Sequence, residues 1–476
     1  MPVQNAAPEG EALIQLAYLA WLESLEILRG DLYSEFRDYS EGIQLTQLTA
    51  RMRKFLELTE IQDFRINVCP IVVDALAEKL KVAKFTCEGQ DDIYADWWRK
   101  SRMDALQSVV HVATIRDGDT YVLVEWDNLK QRPSFYQENA YNGVEGTHIV
   151  YSDERRSTPV VGVKRWTIQT GEKTLTRRTN LYYDDRIEKY TDLGSGKDWS
   201  QFVEEEGDFA GQWPIPWTKK DGSPIGIPII HFRNRDLGYS YGISELNDVV
   251  VLQNAGNKAL IDLLAAADTT GFQMTWATGL SPTDSIVVAP GVLLKSTNPD
   301  VKFGVIPAAP LNGLQSLKDS IIADIAKITR TPLSYFQLTG QVAAAGTLKE
   351  QRSGLVSKAL DRQVVFGNAW EDVMHVGRKL NNTFGTTQMD EEVEIQTLWV
   401  DDEKPELNEL ATSVELLNRA AAASADTKVR LLHPDWEDDK VTEEVEAIRA
   451  ETGTAVPDIG TLATDEMIAS GDIGTV

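Results

Sequence analysis

The segment Gly238, Tyr239, Ser240, Tyr241, Gly242 has the G-x-S-x-G spacing of a nucleophile elbow, in which a serine on a tight strand-to-helix turn attacks an acyl carbon. His375 and His433 follow it in the chain order a serine hydrolase would use. The elbow requires an apolar strand running straight into the turn, but Arg233, Asn234, Arg235 and Asp236 separate it from the strand-like Ile229 to Phe232. The competing reading is a glycine-flanked turn with Ser240 near a helix N-cap. A second candidate, Gly194, Ser195, Gly196 and Lys197, shares part of a phosphate-cradling loop. The full pattern needs glycine where Thr191 stands and Ser or Thr where Asp198 stands, and an acid there would repel a triphosphate. It reads as a solvated hairpin turn.

The remaining polar residues are scattered. His111, His148, His231, His375 and His433 are isolated, and no H-E-x-x-H, calcium-loop or zinc spacing occurs, so they read as packed or surface side chains. Acidic clusters at Asp91 and Asp92, Glu204 to Glu206, Asp390 to Glu392 and Asp401 to Glu403 read as solvated surface rather than cation sites. Cys69 and Cys87 are too few and too far apart for a redox pair or disulfide framework, so they read as core thiols in a reducing compartment. The expectation is no catalytic residue, no cofactor and no metal.

The 476 residues carry 73 acidic against 47 basic side chains, a formal charge of −26, without a basic run. A protein that grips duplex DNA shows a basic stripe, because phosphate neutralisation supplies most non-specific affinity; tight DNA binding is not expected. Apolar content of 42% and charged content of 25% are those of a folded protein, and the length implies several packed modules. Met1 to Glu11 lacks a basic segment leading into an apolar one, and no stretch reaches the roughly 18 apolar residues that span a bilayer, so no membrane association is expected.

The elements that would position these residues follow from periodicity. Glu11 to Arg29, Val68 to Leu80 and Asp91 to Ile115 read as helices. After a turn at Asp117 and Gly118, Tyr121 to Trp126 reads as a strand. His148 to Tyr151, Val160 to Ile168, Asn180 to Tyr183 and Ile187 to Tyr190 read as an antiparallel meander. Four prolines and two glycines between Trp213 and Pro228 make a connector that is neither helix nor central strand. Next come 26 proline-free residues, Ile243 to Asp268, predicted as a helix roughly 39 Å long. Asn254, Lys258 and Asp262 form one polar stripe on this otherwise apolar rod, which must be covered by a large core or by neighbouring subunits. A small mixed excursion, Thr269 to Pro310, has strand-like pieces at Phe272 to Thr278, Ser285 to Val288 and Val301 to Ile306. A second helix, Leu311 to Arg330, carries Lys318, Asp319 and Lys327. Two long helices thus flank a compact tip. Then come a charge-free loop, Gln337 to Gly346, a long helix, Thr347 to Phe384, shorter helices at Leu407 to Ala423 and Thr442 to Ala450, and a Gly-, Thr- and Asp-rich tail.

In this order, from about Leu25 to Ala450, the chain resembles the portal family of tailed bacteriophages, the SPP-type portals. The resemblance is carried by Tyr39, Glu41, Gly42 and Gln44 (Y-x-E-G-x-Q) and by Asn67 through Val82 (N-x-x-x-x-I-V-D-x-L-A-E-x-L). Ile227 through Asn234 with Tyr241 through Leu246 resemble the strand and G-x-S-E-L lead-in to the first stem helix. Thr331 to Leu348 resembles the turn and tunnel loop, before a helix bearing Phe366, Trp370 and Met374. The loop departs from the family in reading Ala345, Gly346, Thr347 where a Ser-Gly pair is common.

The resemblance implies an α+β, mainly α, fold: an N-terminal arm and β-rich wing (1–241), stem helix 1 (242–268), clip (269–310), stem helix 2 (311–330), tunnel loop (331–346), a long helix and second wing part (347–400), a helical crown (401–450) and a tail (451–476). It implies a ring, typically of twelve copies, at the head-tail junction of the virion, assembled in the host cytoplasm, through which double-stranded DNA is packaged and ejected without tight binding. The implied partners are the terminase large subunit, major capsid and scaffolding proteins, and a head-tail connector that succeeds the terminase on the clip. Gln337, Leu338, Thr339, Gln341, Val342 and Ala344 are the expected DNA-facing loop. Asn254, Lys258, Asp262, Lys318, Asp319 and Lys327 are the stem's channel candidates. A serine hydrolase using Ser240, or another head-tail ring component, is the alternative.

Overall fold

The computed structural model describes residues 29–43, 66–152, 158–169, 175–192, 199–207, 209–238, 241–271, 275–279, 299–305, 311–336, 345–400, 412, 414–417, 424–433 and 438–453. The chain divides into two compact units, up to Val400 and from Asp401 onward.

In the first unit, helices α1 (Gly30–Glu41) and α2 (Cys69–Ala77) lead to strand β1 (Val82–Thr86), then to helices α3 (Asp91–Lys100) and α4 (Met103–Asp117). Strands β2 (Asp119–Asp127) and β3 (Arg132–Asn139) precede the run β4 (Gly146–Tyr151), β5 (Pro159–Gln169), β6 (Leu175–Tyr182), β7 (Arg186–Asp192), β8 (Trp199–Gln201) and β9 (Ile215–Pro216), followed by β10 (Ile229–Arg233). Helix α5 (Val249–Gly271), strands β11 (Thr275–Thr278) and β12 (Lys302–Val305), helix α6 (Leu311–Thr329), the 40-residue helix α7 (Ala345–Phe384) and strand β13 (Gln396–Trp399) complete it. The second unit contains α8 (Ala425–Leu432) and α9 (Asp438–Gly453), which pack through Val429, Val441 and Val445. The fold is α+β.

Among the described residues, the pairings between these strands are antiparallel, and one isolated parallel bridge joins Ala140 to Thr147. β4 to β7 form the expected meander, extended by β8, which the sequence did not suggest, and by β9 along β7; the proline-rich connector contributes only the pair Ile215–Pro216 to it. The central sheet, in order β10-β2-β3, is the structural hub. β2 is buried at its first six residues in succession, as a strand covered on both faces must be. Side chains alternate along β10: Phe232 meets Phe366 and Trp370 of α7, whereas His231 stacks on Tyr121. Trp370, Phe366 and Met374 are fully buried, at the spacing of four that aligns them on one helix face.

Three sequence expectations shift. Asp91 to Ile115 is two helices, because Arg102 takes a left-handed conformation (φ 56°) at a break that keeps Trp97, Trp98 and Met103 all buried. Apolar periodicity continues across the break and so conceals it. The helix expected from Ile243 starts only at Val249, since the preceding backbone is committed elsewhere: Ile243 N–H donates to Asn234 and Glu245 N–H to Ile115. The segment from Gly30 to Glu41, read only as a motif, is helical. The predicted helix at Glu11 to Arg29 except Arg29 itself, the strand piece at Ser285 to Val288, most of Leu407 to Ala423 and the tail beyond Gly453 lie outside the described residues.

Burial also fixes a titratable group in this core. Trp370 Nε1, which can only donate, lies 2.9 Å from His111 Nε2; His111 Nδ1 therefore bears the proton that reaches the Leu80 carbonyl at 3.0 Å. Burial pushes the imidazole down to about 4, even though the Leu80 contact opposes the shift. The folded value lies below the ordinary one near 6.5, so the unfolded chain takes up this proton first. The stability His111 contributes is full above about pH 6.5 and is lost as pH falls toward 4, a loss on the order of 3 kcal/mol. Urea midpoints measured from pH 7 down to pH 4 should fall, and fall less steeply in His111→Gln; equal slopes would contradict this.

Candidate functional site

The feature that sets this fold apart is a hairpin of two long helices whose roots are tied into a buried polar knot. α5 and α6 run antiparallel: Gly256 approaches Ile321, and Leu252 and Gln253 line the same seam as Ile321, Ile322 and Ile325. The strands between them, β11 and β12, pair from Thr275↔Val305 to Thr278↔Lys302.

The root of α5 is held first by Asp117-Gly118-Asp119. Gly118 adopts φ 93°, which turns α4 directly into β2, and both carboxylates are fully buried. Asp119 accepts from Tyr33 Oη (2.7 Å), Gly242 N–H (2.7 Å) and His231 Nε2 (2.9 Å). Burial and the adjacent Asp119 push the Tyr33 phenol well above its ordinary range, which keeps it a donor. Asp117 accepts from Arg37 (2.9 Å) and from its neighbour Arg116 (2.6 Å). An acid at the C-terminal end of a helix opposes the dipole, and these two cations offset it. Gly242 itself admits no side chain: a Cβ there would stand 2.1 Å from the Gly118 carbonyl oxygen and 2.7 Å from that of Asn234.

The second anchor is Glu245, in the turn before α5. Its carboxylate meets Lys358 Nζ at 2.6 Å and Arg362 Nη2 at 2.9 Å, both on α7, and Asn234 Nδ2 at 3.1 Å. Lys358 also donates to the Thr329 carbonyl at the end of α6 (2.9 Å). One ammonium group therefore joins the roots of both stalk helices to the long helix, and its position at the negative end of α6 is the favoured one. Burial alone would raise Glu245, but Lys358 and then Arg362 outweigh it and hold the carboxyl below its usual range. With two cations to one anion, burial depresses Lys358 despite the Glu245 charge. Glu245 had been read only as part of the helix lead-in, Asp117 only as part of a turn, and Asp119 not at all. The one available signal was an acid placed against the α4 dipole.

Among the stalk candidates, Asn254 is exposed but donates to Tyr39 Oη of α1 (2.6 Å). Lys258 is exposed and Asp262 half-buried along the same stripe. On α6, Lys318 lies 3.7 Å from Asp319 and Lys327 lies 3.3 Å from Asp324, so both cations have local acidic partners. Large apolar side chains remain uncovered beside them: Val251 is 72% exposed, Leu317 50% and Ile328 53%; Val364 on α7 is 65% exposed. The loop candidates Gln337, Leu338, Thr339, Gln341, Val342 and Ala344 lie outside the described residues.

The enzyme-like motifs resolve differently. Ser240 lies outside the described residues, but Gly242 of the same motif is required by the close approach to Gly118. His375 Nδ1 accepts from Arg378, which also holds the Val393 and Glu391 carbonyls, and none of these groups joins the Gly242 cluster. The Gly194 to Lys197 loop is outside the described residues, but its flanking strands pair antiparallel at Asp192↔Trp199, as in a hairpin. Among the described residues no three His, Cys, Asp or Glu side chains are grouped to hold a metal ion, and no helix there is long and apolar enough to cross a membrane.

The model of the family described as "Phage portal protein, SPP1 Gp6-like" matches residues 64–458. The portal protein of Mycobacterium phage D29 is 23% identical over 209 residues, 41% of this chain and 42% of that protein. The portal protein of Mycobacterium phage L5 is 23% identical over 214 residues, 40% and 44% of the two chains. The similarity thus spans about two fifths of the length of these curated relatives. Among solved structures, a chain of "Neck of native GTA particle computed with C12 symmetry" superposes with a TM-score of 0.44 at 13% identity, over 77% of this chain and 89% of that one.

Proposed function

The chain belongs to the phage portal protein family of the SPP1 Gp6-like type, and from this premise we propose that it is one subunit of a ring through which double-stranded DNA enters and leaves the phage head. The observation that carries the reading is the α5–α6 stalk: rigidly rooted, yet bearing large uncovered apolar side chains at Val251, Leu317 and Ile328. Such faces need lateral cover, and copies of the same chain around a closed ring supply it to every subunit alike. In this assignment α5 and α6 are the stem, β11 and β12 belong to the clip, the meander is the wing, and α8 and α9 belong to the crown. A ring of twelve copies agrees with the family, and the virion head-tail junction is its place, after assembly in the host cytoplasm.

DNA passes without being gripped. The chain's charge of −26 repels phosphate, and the stem cations Lys318 and Lys327 sit beside Asp319 and Asp324, which weakens their hold on a passing strand. No catalysis is assigned. The clip is the docking surface for the terminase large subunit and then for the head-tail connector, and the wing and crown face the capsid and scaffolding proteins.

The loop from Gln337 to Gly346 contacts the DNA by shape and weak polar contact. Inserting a Glu-Arg pair after Ala344 is expected to leave ring assembly intact and to reduce the DNA packaged into heads in a terminase-driven assay. Unchanged packaging would contradict the loop's role.

A further inference from the structure

A pocket of about 730 Å³ opens where the meander, the central sheet and the end of α7 meet. Aromatic side chains from different elements line it: Trp126 from β2, Tyr182 from β6, Phe209 and Trp217 from the connector region and Phe384 from the end of α7. Phe384 lies centrally among them, its ring 6.3 Å from Trp126 and 6.0 Å from Trp217. One carboxylate, Glu125, belongs to the lining, and its side chain remains open to solvent there. Lys189, which also lines the pocket, pairs with Glu204, and Lys164 pairs with Glu138 (2.5 Å); both act on Glu125 at longer range, and among the described residues no ion pair engages its carboxylate.

We propose that this pocket binds a guanidinium or ammonium side chain presented by a peptide segment of a partner protein. Three independent features favour a cation with an apolar stem. Aromatic faces attract cations through the ring quadrupole, more strongly where water is excluded. The Glu125 carboxylate is the natural counter-charge: partial desolvation by the pocket wall raises it, Lys164 and Lys189 oppose that shift without cancelling it, and an arriving cation would offset it further. The C-terminal end of α7, with no basic residue in its last turn, abuts the pocket through Phe384 and adds partial negative charge. The volume lies within the range of sites that enclose a ligand and exceeds what a lone ammonium fills, so an arginine or lysine stem laid along the rings fits it. The chain's excess of acid also favours a basic partner segment at encounter. The site stands whether or not the chain forms a ring.

The test is ligand-observed NMR on the full-length protein with acetyl-Gly-Leu-Arg-Leu-Gly-amide, set against the same peptide carrying neutral citrulline in place of arginine. The arginine peptide should bind, and the citrulline exchange or Glu125→Gln should each weaken it about tenfold. Phe209→Ala should weaken it as well. Absent binding, or equal affinity for the two peptides on the unaltered protein, would overturn the proposal whatever the variants' stability. Equal binding of the arginine peptide by a folded Glu125→Gln protein would do the same.

Discussion

Glu245→Ala is expected to lower stability by about 3–5 kcal/mol, because it strands two buried cations rather than removing one contact. Glu245, Lys358 and Arg362 are all nearly excluded from solvent, with side chains 5%, 8% and 9% exposed. Without the carboxylate, Lys358 and Arg362 face each other in the interior with only Thr329 O and Asn234 Oδ1 as acceptors. The cluster's imbalance makes a sharper forecast. Lys358→Met leaves the Glu245–Arg362 pair, one charge against one, and should cost clearly less than Glu245→Ala, although it also frees the Thr329 carbonyl. Urea midpoints at matched protein concentration rank the two variants, and hydrogen exchange should place the Glu245→Ala loss at the roots of α5 and α6. Equal midpoints, or a larger loss for Lys358→Met, would contradict the two-to-one cluster.

Gly242→Ala is expected to cost more than about 3 kcal/mol or to prevent folding, as overpacking against fixed backbone does at its severe end. The new Cβ would lie 2.1 Å from the Gly118 oxygen, and the atoms it meets are backbone atoms of the α4–β2 turn and of Asn234, just after β10, none of which is a movable side-chain tip. Relief would also break the Gly242 N–H bond to Asp119 and disturb the knot that holds Tyr33 and His231. Gly238→Ala is the control. Its glycine has φ 83° but open space around the Cβ position, so the cost is limited to backbone strain of roughly 1 kcal/mol. A nucleophile elbow makes a different forecast, loss of esterase activity and of fluorophosphonate labelling in Ser240→Ala. Soluble expression and thermal midpoints of the glycine variants, with labelling of the serine one, separate the structural from the catalytic role of this segment.

Periodic elements were legible in the sequence because one face of each must be buried. The meander shows alternation and turn residues, and α6 and α7 keep apolar side chains at three- and four-residue steps over 19 and 40 residues. The positioning residues were not legible. Asp117, Asp119, His231 and Glu245 acquire their roles from groups far away in the chain: Arg37, Tyr33, Asn234, Lys358 and Arg362. A buried acid and a solvated one look identical until the fold brings the counter-charge. The delayed start of α5 was hidden for a related reason: Ile243 to Glu245 have helix-compatible side chains, but the Ile243 and Glu245 N–H groups donate to the Asn234 and Ile115 carbonyls and the Ser244 hydroxyl donates to that of Arg116. The DNA-facing loop rests on family resemblance alone, since Gln337 to Ala344 lie outside the described residues.

In the proposed function the chain closes into a ring around a channel walled by α5 and α6. Electron microscopy of the assembled full-length protein tests it directly. The expected result is an annular particle of identical subunits with an open central hole and radial arms, with the α5–α6 hairpins lining the hole in the averaged map. Assembled particles without a central channel, or a channel lined by other elements, would contradict it.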